Sequence, residues 1–283
     1  MSESRKNNKV LVSLAIGDRY QDVWQRFFRP SWEAYAKAHG YDIIVIEDYI
    51  DPAPEARQRK PHWQKCLILE DERCRAYDHV VWLDTDILIN WHSAPCIVSS
   101  APEDGIGCVT FRGRYATQQS LDNGDKRQAD FIERMSGQAV HRGPLGIYAK
   151  CGFEGAPDDF CNTGVMTFRP DRDRAVMRHI YDSYGPTPYS DKPEPPMSYH
   201  LLKEGLIRPL DARFNAILPE ILFEHYPFLV TLPDEAKAPL APYCLTAAYH
   251  NAFFLHFIIA QGTIQYLRYL NPALESPFVR FGG

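Results

Sequence analysis

No stretch of this sequence is apolar for long enough to span a bilayer, which takes about 20 residues as a helix. The richest candidate, "AAYHNAFFLHFIIA", is shorter and carries two histidines. The amino terminus, "MSESRKNNKV", lacks an apolar h-region and does not read as a signal peptide. No C-x-x-C pair occurs among the seven cysteines, and their count is odd. That pattern argues against a zinc cage or a disulfide framework and for reduced thiols in a cytoplasmic setting. Positive charge is not in excess: 31 Lys and Arg stand against 36 Asp and Glu, a formal net charge of −5. A nucleic-acid partner is therefore not the default. There is no internal repeat and no low-complexity tail. A chain of 283 residues suits one large domain or two small ones and is ample for a sizeable core.

What is present reads as alternating strands and helices. "KVLVSLAIGD" is a short apolar run closed by Gly-Asp, as a buried strand would be. "QDVWQRFFRPSWEAYAKAHG" has apolar residues at helical spacing. Pro30 should kink or split this helix and Gly40 should cap its C-terminus. The same spacing makes Trp24, Phe27, Phe28 and Trp32 core residues. "YDIIVIED" is a second strand, "HWQKCLILEDERCRAYD" a second helix, and "HVVWLD" a third strand. A β-α-β-α-β series favours parallel strands in an α/β sheet. Further along, "GIGCVTF" and "GVMTFRP" read as strands. The polar segment between them, Arg112 to Asp159, reads as a long loop that orders over a ligand. Asp171 is placed to cap the helix "DRDRAVMRHIYDSY". "IQYLRYLNPALESPFVRF" reads either as an amphipathic segment, which would allow peripheral contact with the inner face of the membrane, or as a packed one.

The chemistry concentrates in "VVWLDTDILIN". Asp is a poor strand former and costly to bury unpaired, yet Asp84 and Asp86 end an apolar strand. If the chain stays extended, residues i and i+2 face the same way and the two carboxylates lie side by side. Such a pair repels itself unless a cation sits beside it, and hard divalent cations prefer oxygen ligands. The pair also lies at the carboxyl end of a parallel strand, where open α/β sheets bind ligands. Basic residues Arg57, Arg59, Lys60 and Lys65 lie just upstream. The alternative is two acids that merely end a strand and cap a turn.

"WQKCLILED…YDHVVWLDTDILIN" resembles the metal-binding segment of GT-A glycosyltransferases, which use nucleotide-sugar donors. The likeness is greatest to the galactosyltransferase, mannan-polymerase-subunit and xyloglucan xylosyltransferase type. "CNTGVMTFRP" resembles that family's Asn-x-Gly strand, and "FFLHFIIAQG" its late histidine motif. The resemblance runs from about Val10 to about Gly262 in order. It implies one GT-A-like α/β domain over residues 1–283: a nucleotide-binding half over about 9–90, an acceptor half over about 91–262, and a C-terminal segment over 263–283. It implies a divalent cofactor, Mn²⁺ or Mg²⁺, a donor linked to UDP or GDP, an acceptor that is a glycan, a lipid-linked or another hydroxyl compound, and retention of configuration.

Residue by residue, the resemblance gives the metal to Asp84, Asp86 and His256, with Asp86 a direct ligand, Asp84 also contacting the donor ribose or a metal-bound water, and His250 as the competing histidine. Ala15, Ile16, Gly17 and Thr85 would contact the donor. Asp48 would accept a hydrogen bond from the base, or else cap a turn. Lys65 would assist the diphosphate, or else be a solvated lysine. Asn162 would bind sugar hydroxyls, with Asp158 and Asp159 beside it, or else these are turn and loop residues. Glu194 would lie near the anomeric carbon, or else start a helix. Trp63, Trp91 and Tyr115 are candidates for stacking.

Three other readings remain. A haloacid-dehalogenase-type phosphatase usually has Thr or Val two residues past the second Asp, where this chain has Leu88. A nucleotidyltransferase would show a Gly-rich basic loop after the first strand, where "AIGDRYQD" has one Gly and one Arg. A catalytically inactive carbohydrate-binding domain would show no donor hydrolysis.

Overall fold

The computed structural model describes residues 8–115, 117–136, 143–187, 189–258 and 262–270. The expected α/β architecture is present as two sheets. The strands are β1 (Lys9–Leu14), β2 (Asp42–Ile46), β3 (His79–Leu83), β4 (Ile87–Ile89), β5 (Ile106–Thr110), β6 (Cys161–Phe168), β7 (Ile207–Pro209), β8 (Ala216–Ile217) and β9 (Phe254–His256). The larger sheet has six strands in the order β2-β1-β3-β6-β5-β7. β1 runs parallel to both β2 and β3, β6 runs antiparallel to β3 and β5, and β5 runs parallel to β7. The second sheet has three strands, β4-β9-β8.

Covering both faces of the large sheet is what permits its near-continuous hydrophobic strands. Alternate side chains feed two cores. Leu11, Val81 and Leu83 join Phe28, Trp32 and Phe254 on one face. Val10, Val12, Val80 and Trp82 join Leu67, Ile68 and Met177 on the other. The helix Arg29–His39 covers the first face and the segments Pro61–Glu70 and Pro170–Ser183 the second. The first helical stretch is continuous from Asp18 to His39 and changes pitch at a π-helical turn, Trp24–Phe28, directly before Pro30 in the opening turn of Arg29–His39. Gly40 ends that helix at φ 70°, the left-handed conformation glycine adopts without a Cβ clash. Trp24, Phe28 and Trp32 are buried and Phe27 packs against them.

Two local expectations are corrected. The segment from Arg112 to Asp159 is not a plain loop: it contains helices Gln118–Ser136 and Gly143–Cys151. Its polar composition does not prevent helix formation. Residues 137–142 lie outside the described residues. Asp171 does not cap its helix, which starts at Pro170. Asp173 accepts the Arg169 backbone N–H at 2.8 Å instead. Of the C-terminal segment, residues 271–283 lie outside the described residues. No helix among the described residues is long and apolar enough to cross a membrane.

Candidate functional site

"VVWLDTDILIN" is not one strand. The chain leaves the large sheet at Leu83, turns through Asp84–Thr85–Asp86, and enters the small sheet at Ile87. The two carboxylates therefore sit in a crossover between sheets, and the i, i+2 argument for an extended strand does not apply. Both are nevertheless brought together, because the turn is pinned on two sides. The Asp84 backbone N–H donates to Gly164 O at 2.8 Å, and Phe257 N–H donates to Asp86 O at 2.9 Å. The pairing of β4 with β9 aligns Ile87 with His256.

That register delivers the late histidine. His256 Nε2 lies 3.1 Å from Asp86 Oδ1 and 3.8 Å from Asp84 Oδ2. One ligand atom from each of Asp84, Asp86 and His256 falls within 4.8 Å of the others. His250, the competitor, is exposed on the helix Ala241–Asn251 and is not part of this cluster. Two carboxylate oxygens and an imidazole nitrogen form a set that can hold a divalent cation. The nitrogen suits Mn²⁺ better than Mg²⁺.

Lys65 is buried, not solvated. Its ammonium lies 2.8 Å from Asp84 Oδ1 and donates to Thr163 O at 3.1 Å. Trp82 Nε1–H donates to the same Asp84 oxygen at 3.0 Å. Oδ1 is thus committed to protein donors, and Oδ2 is the oxygen turned toward His256.

Burial disfavours the His256 imidazolium, but Asp86 and Asp84 outweigh burial and raise its pKa above the ordinary value. A raised folded-state pKa contributes stability that is fully present below the unfolded value, about 6.5, and is lost as pH rises through the folded value. In metal-free protein the Tm difference between wild type and His256→Gln should therefore shrink as pH rises. Thermal unfolding across a pH series checks this, and a constant difference would remove the ion pair from the account.

The cluster opens into a cavity of about 500 Å³. Leu14, Ile16, Tyr20, Lys60, His62 and Lys65 line one side. Asp84, Thr85 and Asp86 lie with His256, and Asn162, Lys192 and Glu194 are also among the lining residues. Asn162 Oδ1 accepts the Gly164 N–H at 3.0 Å, and Glu194 Oε1 accepts the Thr163 N–H at 3.2 Å. Gly164 is required by close approach: a Cβ built there would overlap the His256 ring, 2.7 Å from Nδ1.

Several expected site residues are not brought to the cavity wall. Ala15 is buried and hydrogen-bonded to Ile46 O through its N–H, and Gly17 opens the following helix at φ 96°. Asp48 is an exposed acid that accepts its neighbour's N–H and pairs with Arg57 at 3.2 Å. Its carboxyl is held below the ordinary carboxylate range by the Tyr49 N–H and then by Arg57. Asp158 pairs with Arg112, and Asp159 accepts the backbone N–H groups of Arg112 and Phe160. Trp63 is fully buried, Trp91 stacks on His92, and Tyr115 meets Phe111.

The sequence reading missed others. Tyr20 is an exposed aromatic at the cavity. His62 and Lys192 carried no sequence signal beyond nearby basic residues. Lys60 belongs to the basic cluster upstream of the Asp pair and lines the cavity, whereas Arg59 instead bonds to Tyr181 O. Asn215 is buried behind the site, hydrogen-bonded to both His256 and Asn162. The run "RPLDARFN" gave no hint of it.

No family model matches this chain, and no curated protein does either. Solved structures do match. A glycosyltransferase involved in the glycosylation of the major capsid of PBCV-1 is similar over 91% of this chain and 98% of that one, at 13% identity and a TM-score of 0.53. The bifunctional glycosyltransferase WbbM in its apo form is similar over 91% of this chain, at 13% identity and a TM-score of 0.50. This chain spans 47% of WbbM, about half its length. At such identity the likeness establishes the fold: a mixed sheet flanked by helices, shared with glycosyltransferases.

Proposed function

We propose that this chain is a metal-dependent glycosyltransferase that moves a sugar from a UDP- or GDP-linked donor to a hydroxyl acceptor on a glycan or lipid-linked compound, with retention. One observation carries the reading. Asp84, Asp86 and His256 converge at a cavity of about 500 Å³, in a fold shared with glycosyltransferases. Such a volume suits a small-molecule ligand. Fold alone does not give function, so the weight rests on this site.

In this reading Asp86, His256 and the Oδ2 of Asp84 hold Mn²⁺ or Mg²⁺. When bound, the ion supplies Lewis-acid stabilisation of the leaving diphosphate. Lys65 holds Asp84 rather than the donor. Ile16 and Tyr20 face the base, with Tyr20 offering a stacking surface. Asn162 and Glu194 face the sugar, Thr85 backs the donor, and closure of the site excludes water. Residues of about 9–90 form the donor half and about 91–262 the acceptor half; the cavity draws its lining from both.

The diphosphate needs cations from the protein, and Lys65 is already committed. Lys192 fits: it lines the cavity and has no carboxylate in ion-pair range among the described residues. Its segment is held in place. Lys60 pairs with Asp191 at 2.5 Å, and Trp63 Nε1–H donates to Asp191 O at 2.9 Å. Lys192→Ala should weaken binding of nucleoside diphosphate by about tenfold, the loss of one charge-assisted contact of about 1.5 kcal/mol, and leave Mn²⁺ affinity unchanged. Calorimetric titration checks both. Unchanged diphosphate affinity would return that role to Lys65.

The function itself is tested by a screen of nucleotide-sugars for hydrolysis and transfer, with Mn²⁺ and with excess chelator. The expected result is one preferred donor, turned over only with metal. Phosphate release from a phosphomonoester, or turnover indifferent to chelator, would contradict the proposal.

A further inference from the structure

Hydrogen-bond bookkeeping around Asn215 fixes more than its burial. Donors and acceptors can be assigned here from backbone groups, whose roles are not in question. The Gly164 backbone N–H can only donate, so the Asn162 side-chain atom 3.0 Å away is its oxygen. The Asn162 backbone carbonyl can only accept. The Asn215 side-chain atom 3.1 Å from that carbonyl, and 2.8 Å from Asn162 Oδ1, must then be the amide nitrogen. Both hydrogens of that nitrogen are used. The other atom of the amide, Oδ1, therefore faces His256 Nδ1 at 2.9 Å. An amide oxygen cannot donate, so Nδ1 carries the hydrogen.

The consequence reaches the metal cluster. With its hydrogen on Nδ1, the neutral ring presents the Nε2 lone pair to Asp86 Oδ1 at 3.1 Å and Asp84 Oδ2 at 3.8 Å. Three acceptors then face one point, which a proton on Nε2 fills at low pH and which a divalent cation can fill in its place. Outer partners of this kind set the orientation and tautomer of metal-binding histidines.

We infer that Asn215 is a positioning residue that fixes His256 with Nε2 free for a cation and links that ligand to Asn162 on the sugar side of the cavity. The inference rests on reading Asp84, Asp86 and His256 as a metal centre. Asn215 lies one residue before β8, which pairs with β9 and aligns Ile217 with His256. The small sheet thus carries both the histidine and the group that orients it. Asn215 is 1% exposed, so its amide is shielded from bulk solvent.

The test uses the full chain. Long-range proton–nitrogen spectra of metal-free, ¹⁵N-histidine-labelled protein at alkaline pH report the tautomer of His256 directly. The expected result is hydrogen on Nδ1. Two variants then separate orientation from packing. Asn215→Leu keeps a similar volume and removes the acceptor; its Mn²⁺ affinity should fall by about 10–100-fold. Asn215→Asp keeps the acceptor for Nδ1 and should bind Mn²⁺ far more tightly than Asn215→Leu. Hydrogen on Nε2 in wild type would overturn the inference even if neither variant folds, and so would a folded Asn215→Leu that binds Mn²⁺ like wild type. Absence of any Mn²⁺ binding by wild type would instead remove the metal reading, and the tautomer result is read independently of it.

Discussion

Asp86→Asn is expected to leave a folded protein that has lost metal-dependent binding of nucleoside diphosphate and all measurable sugar transfer. The backbone role of the residue survives, since Phe257 N–H donates to its carbonyl rather than its side chain. What goes is the charge. Asp86 is 8% exposed and carries the oxygen nearest His256 Nε2. Replacing it by an amide removes a charged ligand at a poorly solvated point where an ion gains most from it. Changes to outer partners of metal ligands already cost 10–100-fold in affinity, so loss of a ligand itself should cost about 100-fold or more. Asp104→Asn is the control, an equal change in charge at an exposed carboxylate paired with Arg208. Calorimetry with Mn²⁺ and UDP or GDP reads the effect. Full Mn²⁺-dependent binding by Asp86→Asn would take this carboxylate out of the metal site.

Gly164→Ala should damage the same site without touching a charged group. The added Cβ would fall on the His256 ring and 3.0 Å from Asn162 Oδ1. The ring is held by Asn215 on one edge and buried at 2% exposure, so it can yield only by giving up that hydrogen bond or its place beside Asp86. Overpacking of this kind costs about 1–3 kcal/mol of stability, and displacement of Nε2 should lower Mn²⁺ affinity as well. The second half of the test removes the obstacle. In a His256→Ala background the stability cost of Gly164→Ala should largely vanish, because the two changes act on one contact. Equal cost in both backgrounds would show that β6 itself, not the histidine, demands glycine.

How much of this was legible in the sequence follows from which contacts are local. The strands β1, β2 and β3 read directly from their apolar runs, because a parallel sheet covered on both faces needs them hydrophobic throughout. Asp84 and Asp86 stood out because they break such a run. The turn between the sheets did not stand out, since "VVWLDTDILIN" has the same apolar flanks whether it is one strand or two. The helix Gln118–Ser136 was hidden by its polarity. Asp48 looked like a site residue from its place after β2, yet its carboxylate is used by Tyr49 and Arg57. Gly164 was legible as part of the Asn-x-Gly run, but its contact with His256, and Lys192 and Asn215 altogether, were not, because those relations exist only once β6, β8 and β9 meet the β3–β4 turn. Spacing along a chain carries no record of such meetings.

The most direct measurement of the central claim is anomalous scattering from crystals of the wild-type chain grown with Mn²⁺ and UDP or GDP. The account predicts one manganese peak bounded by Asp84 Oδ2, Asp86 Oδ1 and His256 Nε2, with the diphosphate completing its coordination and lying toward Lys192. Nucleotide bound in the cavity with no manganese at these three atoms, or manganese bound elsewhere, would contradict it.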